Sequence, residues 1–250
     1  MEEEFHNHMR IPWHDYTRKS LGHPITEASL SEKASIIGRT GIMLLSCGTG
    51  AWRVRSSMNT LARELGITCT ADIGLLSIEY TCIDGGDCYT ESLCLFNTGV
   101  NTSKLYRMEL FVNKFATNCK KMSGDELHTL LDQIHEIHGF YSPPFLGLAA
   151  AVACCAFTFL LGGGPTEMFC AFLGAGAGNY LRAKMNQHHL TLFLCTAASV
   201  ALACVVYTIS FMALKSGFDV SIHHQAGYIC SMLFIIPGFP FITSGIDLAK

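Results

Sequence analysis

The sequence predicts an α-helical multi-pass membrane protein that carries a small α+β N-terminal domain in the cytoplasm. Charge is the first observation behind this reading. From 140 to 250 the charged side chains are Glu167, Arg182, Lys184, Lys215, Asp219, Asp247 and Lys250, and the other thirty precede them. The second observation is that this weakly charged part holds four apolar runs, at 145–161, 168–181, 190–214 and 224–246. A crossing needs roughly 17–25 mostly apolar residues, so the third run is ample, the first and fourth fit, and the second is short. The third observation is Ile235-Ile236-Pro237-Gly238-Phe239-Pro240-Phe241-Ile242 in the fourth run. Each proline removes a backbone donor and clashes with the preceding turn. A membrane protein has a use for the backbone opened in this way.

Residues 1–28 mix histidine, charge and two prolines without periodicity and read as a flexible N-terminal tail. The cytoplasmic domain is expected over 29–141 and the membrane domain over 142–250. Ser29-Leu30-Ser31-Glu32 is a capping box. It opens a helix in which Leu30, Ala34, Ile37, Gly41 and Leu44 share a face. A second helix, 50–65, places Val54, Met58, Leu61 and Leu65 on one side and stops at Gly66.

Leu76, Ile78, Tyr80 and Cys82 alternate with polar residues, as in a half-buried strand. Asp84-Gly85-Gly86-Asp87 then turns the chain into a returning strand from 88 to 96. Leu105, Met108, Val112, Phe115 and Cys119 predict a helix over 103–120. Ser123-Gly124-Asp125-Glu126 caps a fourth helix that ends at Gly139.

In the membrane part, Gly162-Gly163-Gly164-Pro165 is a tight turn that pairs the first two runs as a hairpin. The loop Arg182-Ala183-Lys184-Met185-Asn186-Gln187-His188-His189 is the most basic of the membrane loops, and short basic loops stay in the cytoplasm. Counting back places the N-terminal domain in the cytoplasm as well, with Lys215 and Asp219 outside. The opening Met1-Glu2-Glu3-Glu4 lacks the apolar core of a secretory signal. Twelve cysteines without a Cys-x-x-Cys pair suit a reducing compartment, where they act as small buried hydrophobes.

Transporter sites form where a membrane helix is broken, so Pro237, Gly238 and Pro240 are candidate pathway residues. The competing reading is a simple kink. Asp247 lies about two turns farther on. A carboxylate near lipid costs about 2.5–3.5 kcal/mol, and such residues are retained for ions or protons, although an interfacial anchor is also open. Arg182 and Asn179 close the second run. A guanidinium fork matches a carboxylate, while a positive-inside anchor is the plainer role. Gly174 and Gly178 form a small-xxx-small pair that lets a neighbouring helix approach.

His128, Asp132 and His135 share one side of the fourth helix. That side is opposite the apolar face, so an exposed polar stripe is expected and no metal or cofactor site is assigned. His188-His189 and His223-His224 flank the third run, as interface markers or in proton coupling. No Gly-x-Ser-x-Gly, His-Glu-x-x-His or phosphate loop is present, so an enzyme is not expected. Thirteen basic against seventeen acidic residues in the soluble part give no footprint for nucleic acid.

Leu44-Leu45-Ser46-Cys47-Gly48-Thr49-Gly50-Ala51-Trp52-Arg53-Val54, Leu61-Ala62-Arg63-Glu64-Leu65-Gly66-Ile67, and Ile236-Pro237-Gly238-Phe239-Pro240 with Asp247 resemble the N-terminal portion of the threonine/serine exporter family, over roughly 32–250. The resemblance implies export of a small amino or carboxylic acid, threonine, serine or a dicarboxylate such as succinate, across the bacterial plasma (inner) membrane. It also implies two unequal halves, fused or separate, of which this chain has the half with the cytoplasmic domain. Arg55 stands where relatives often have an acidic residue, and relatives usually continue past the position of Lys250 into a further membrane helix. Four spans cannot easily enclose a polar pathway, so a second membrane subunit or a homo-oligomer within the lipid bilayer is expected. The alternative is a membrane-anchored sensor or scaffold whose cytoplasmic domain binds a ligand or partner.

Overall fold

The helix Leu30–Ser46 (α1) starts where the sequence says it should, because the Ser29 hydroxyl accepts the Glu32 amide proton at 3.4 Å. In the computed structural model, which describes residues 11–17, 22–95, 99–137, 141–188, 190–217, 225–236 and 238–249, the chain divides into two compact units. The first is Met1–Gly139 with Gly238–Lys250, and the second is Phe140–Pro237.

α1 is the centre of the first unit. Every residue from 32 to 45 is buried, and fully burying an isoleucine or leucine contributes about 1.5–3 kcal/mol. Around it lie helix Ala51–Glu64 (α2), strands Thr68–Ile73 (β1), Ser77–Asp84 (β2) and Asp87–Cys94 (β3), and helices Thr102–Asn113 (α3) and Gly124–His135 (α4). The sheet is an antiparallel meander in the order β1-β2-β3, with Cys69 opposite Cys82 and Asp84 opposite Asp87. Ile78, Tyr80 and Cys82 face the core, as the alternation requires. Gly38 makes room for the Tyr80 ring, which a Cβ there would overlap. The Tyr80 hydroxyl lies 3.1 Å from the Ala34 carbonyl and 2.7 Å from Glu91 Oε2, and its single proton serves both.

Three local differences from the sequence reading have physical reasons. β1 was not expected: Thr68-Cys69-Thr70-Ala71-Asp72-Ile73 buries only Cys69 fully, so its hydrophobic signal is slight, and its pairing with β2 fixes it. The helix expected over 103–120 stops at Asn113. Lys114 departs from helical backbone, and Phe115–Cys119 forms a wider π turn that sets Phe115 edge-on against Phe111 at 5.7 Å. Within the stretch expected to be a flexible tail, Trp13–Thr17 and Ile25–Glu27 are short 3₁₀ helices, with Thr17 and Ile25 buried.

The second unit holds helices Pro143–Leu160 (α5), Pro165–Gln187 (α6), Leu192–Gly217 (α7) and the short Gln225–Cys230 (α8). α5 and Leu192–Lys215 of α7 are the two described helices long and apolar enough to cross a membrane, with mean hydropathies of 1.9 and 2.2. α6 is longer than the 168–181 run because the glycine turn starts it at Pro165 and the helix continues through the basic segment to Gln187. Gly162 has φ +82°, Pro165 sits in the first helical turn, and Glu167 Oε2 accepts the Gly164 amide proton at 2.8 Å. A Cβ at Gly174 would meet the Ala203 carbonyl at 2.9 Å, and one at Gly178 the Ser199 carbonyl at 2.8 Å. The small pair therefore brings α6 onto the backbone of α7, as its spacing predicts. The fourth run is not one helix. It is α8, a 3₁₀ turn Leu233–Ile235 and the helix Gly238–Ala249 (α9), and α9 belongs to the first unit.

Candidate functional site

The interruption of the fourth run is built from its sequence. Neither Pro237 nor Pro240 has an N–H, so the carbonyls of Leu233 and Ile236 have no helical donor four residues on. Leu233 O instead takes the Ile236 amide at 3.0 Å in the 3₁₀ turn, and Ile236 leaves it extended at φ −65°, ψ 117°. Pro237 lies outside the described residues. Gly238 begins α9 and Pro240 falls in its first turn, where a missing N–H is tolerated. A Cβ at Gly238 meets nothing within 4 Å, so a larger side chain there has space.

Arg182, near the end of α6, is turned onto this interruption. Its Nη1 donates to the Phe234 carbonyl at 3.2 Å, and among the described residues its buried Nε has no hydrogen-bond partner. A guanidinium carries five donors in one plane, and an unpaired buried donor costs about 1–3 kcal/mol or more. Below it, the Phe234 ring packs where only Gly178 allows, since a Cβ there would sit 2.8 Å from Phe234 Cζ. Asn179, on the same helix, points elsewhere: its amide donates to the Leu146 carbonyl of α5 at 2.8 Å. The structure thus brings Arg182 to the broken run, and ties Asn179 to α5.

Asp247 is in neither place. Within the first unit it caps α2, accepting from the Ala51 amide at 2.9 Å and the Trp52 amide at 3.3 Å. Gly50, the residue before α2, has no side chain to do this, and a Cβ on it would stand 2.7 Å from Asp247 Oδ1. A carboxylate on the positive end of a helix is favourable by about 0.3–1 kcal/mol, more when partly buried.

The first unit also contains a polar network that the sequence reading misplaced. His128 is fully buried rather than on an exposed stripe, because the Trp13–Thr17 segment lies across it, with the Trp13 ring stacked at 6.0 Å. Arg39 Nη1 donates to His128 Nδ1 at 3.2 Å and to its carbonyl at 3.0 Å, and Nη2 pairs with Asp132. Since Arg39 can only donate, Nδ1 is the acceptor and the ring proton sits on Nε2, facing the Ser35 hydroxyl at 3.1 Å. Burial pushes the His128 pKa down to about 3, and the Arg39 charge adds to that effect.

Above it, His14 reaches Asp125 Oδ1 at 2.6 Å and Asp132 Oδ2 at 2.8 Å, one carboxylate per ring nitrogen. Hydrogen bonding to Asp125, then to Asp132, raises its pKa. A cavity of about 730 Å³ opens beside this network, lined by Trp13, His14, Arg39, Met43, Leu95 and Glu136 among others. Among the described residues no group of three or more His, Cys, Asp or Glu could hold a metal. Of the flanking histidines, His189, His223 and His224 lie outside the described residues.

The second unit is thus a set of apolar helices in which α6 and α7 pack through glycines, and two of its helices are long and apolar enough to cross a membrane. The sequence agrees: the family model described as "Putative threonine/serine exporter" matches residues 35–250, and the chain belongs to that family. The "Probable succinate transporter subunit YjjP" of Escherichia coli (strain K12) is 25% identical to it over 213 residues, 84% of this chain and 79% of that protein. No solved structure matches the chain. Membership of an exporter family implies a membrane location and points to transport rather than catalysis.

Proposed function

We propose that this chain is one component of an ion-coupled exporter of small hydrophilic acids, threonine, serine or a dicarboxylate such as succinate, in the bacterial plasma membrane. The observation that carries this reading is the Arg182 guanidinium, held against the Phe234 carbonyl with its Nε buried and, among the described residues, unpartnered. A solute carboxylate would satisfy that donor, and the interrupted backbone offers further hydrogen bonds, as in other transporters with broken helices. Asn179 is a secondary pathway candidate, and Pro237, Gly238 and Pro240 serve the pathway by keeping the fourth run from forming one helix.

What supports several crossings is parity. The chain leaves the first unit at 139 and is back in it at 238, so the segment between must cross an even number of times. With the return toward 238 taken as the last crossing, α5, α6 and α7 bring the number to four. Basic Arg182 and Lys184 near the end of α6 favour the cytoplasm for that loop, and hence for the first unit. A partner is supported by the relative's description as a transporter subunit.

The test replaces Arg182 by lysine and by alanine in an export assay at matched membrane protein levels. Both are expected to lower export at least tenfold, because lysine keeps the charge but not the planar fork. Export by Arg182→Ala at the wild-type rate would remove the site.

The second reading, a membrane-anchored sensor, is favoured by one observation: the cavity of about 730 Å³ in the first unit. It predicts saturable binding of a small metabolite to the purified protein without solute flux.

A further inference from the structure

A second cavity of the first unit, about 580 Å³ in volume, is formed by α3 with its π turn on one side and α4 on the other. Its lining recurs at three and four residues along each helix, with Arg107, Leu110 and Lys114 on α3 and Leu130, Gln133 and Ile134 on α4. Phe111, Cys119 and Ile134 are buried and form an apolar floor, while Arg107, Lys114, Asn118 and Gln133 are exposed and form a polar rim. Ligand pockets hold about 300–1,000 Å³ and join an apolar lining to a few polar groups. This groove has that size and that make-up. The π turn contributes to it, since the chain leaves helical backbone at Lys114 and Phe115–Cys119 then supplies Asn118 and Cys119 to the lining. Single π turns recur at functional sites.

The charge of the rim has one sign. Both charged residues of the lining, Arg107 and Lys114, are cations, and neither side chain has an ion-pair or hydrogen-bond partner among the described residues. The acids nearby in sequence are engaged elsewhere. Glu109 pairs with Arg53, Asp125 and Asp132 hold His14, and Glu126 closes the cap of α4. The cavity beside His14 differs, because its Arg39 is already matched by Asp132. A concave surface of one sign concentrates ligands of the other. Arg107 and Lys114 stand seven residues apart on one face, about 10 Å along the axis, within the combined reach of two long side chains.

We propose that this groove binds a free amphipathic carboxylic acid. The carboxylate lies at the Arg107 and Lys114 rim, where charge-assisted hydrogen bonds hold it, and the Asn118 and Gln133 amides supply further donors. The apolar body lies on Phe111, Met122 and Ile134, the flexible methionine adapting to its shape. A small molecule is the occupant because the volume is that of a ligand pocket, and an acid because no carboxylate of the lining would repel it. The apolar floor sets this ligand apart from the hydrophilic solutes assigned to Arg182, and the site stands or falls independently of that assignment.

The test uses the full chain in phosphatidylcholine nanodiscs, irradiated with a diazirine analogue of decanoic acid, with the labelled peptides identified by mass spectrometry. Saturable labelling within 107–137 is expected, displaced by decanoate and not by decylamine. Arg107 and Lys114 are exposed, so the double variant Arg107→Ala, Lys114→Ala should keep the wild-type melting temperature and lose labelling about tenfold. In Arg107→Glu, Lys114→Glu, a diazirine analogue of decylamine should label the groove in place of the acid. Equal labelling of 107–137 by the acid and amine probes in the wild type, or undiminished acid labelling in the alanine variant, would overturn the proposal. So would labelling confined to α5 and α7. Displacement of the probe by phosphatidylglycerol in the discs but not by decanoate would also overturn the free acid, in favour of a lipid headgroup.

Discussion

His14 is held by two carboxylates at once, which requires a proton on each ring nitrogen. Its pKa in the folded chain lies above 6.5, so the attachment of the Trp13–Thr17 segment is complete below that value. It is lost as pH rises through the folded pKa. Around it stand Asp125, Asp132 and His128 of α4 and, through Asp132, Arg39 of α1. Burial keeps His128 neutral, so the charge that holds the segment is the one on His14. Hydrogen exchange of residues 11–17, taken relative to the intrinsic rate at each pH, is therefore expected to speed up as pH rises above 6.5. In His14→Gln that ratio should be high and independent of pH; a ratio that changes with pH as in the wild type would refute the attachment.

Arg39→Met tests the layer beneath. It leaves the His128 acceptor and carbonyl unpaired in the core, and an urea titration should show a loss of about 2 kcal/mol. None of this was legible in the sequence. The i, i+4, i+7 spacing of His128, Asp132 and His135 was visible, but a helix pattern does not reveal that a distant, aperiodic segment covers its polar side.

At the scale of elements, the patterns that carry strong local signals were readable. Ser123 and Glu126 form the reciprocal cap that their spacing announced. Gly66, at φ +73°, ends α2, and Gly174 with Gly178 marks the α6–α7 contact. β1 was not readable, because its partner strand rather than its own residues determines it. The fourth run was legible as broken, but its three pieces were not assignable, since α9 is fixed by a carboxylate that bonds α2 almost 200 residues away in sequence.

The joint prediction concerns the break. Replacing Pro237 and Pro240 together with alanine restores the missing donors and favours a continuous helix by several kcal/mol. The double variant is expected to reach wild-type protein levels and to lose export. Wild-type export by it would reduce the break to a kink. Gly178→Leu should fail for a different reason, by displacing Phe234 and separating α6 from α7, and is expected to lower the melting temperature of the detergent-solubilised protein.

For the whole molecule, the uneven charge distribution reads as a domain over 29–141 and another over 142–250, whereas the structure divides into two compact units of which the first also takes in Gly238–Lys250. The chain's re-entry into the first unit at 238 was beyond the reach of hydropathy, which counts apolar residues without knowing where the chain goes afterwards. Cysteine at Lys184 should resist an impermeant thiol reagent in intact cells and react after permeabilisation, the pattern required by a cytoplasmic α6–α7 loop.

The central claim is that this chain, assembled with a second subunit or with its own copies, moves a small carboxylic solute past Arg182. Counterflow in proteoliposomes tests it most directly: vesicles loaded with unlabelled succinate or threonine receive the labelled compound outside, with the purified assembly in the membrane. Transient accumulation of label is predicted for at least one of the two, and loss of that accumulation in Arg182→Ala. Saturable binding of the solute with no counterflow by any assembled form would contradict the account and leave a membrane-anchored sensor in its place.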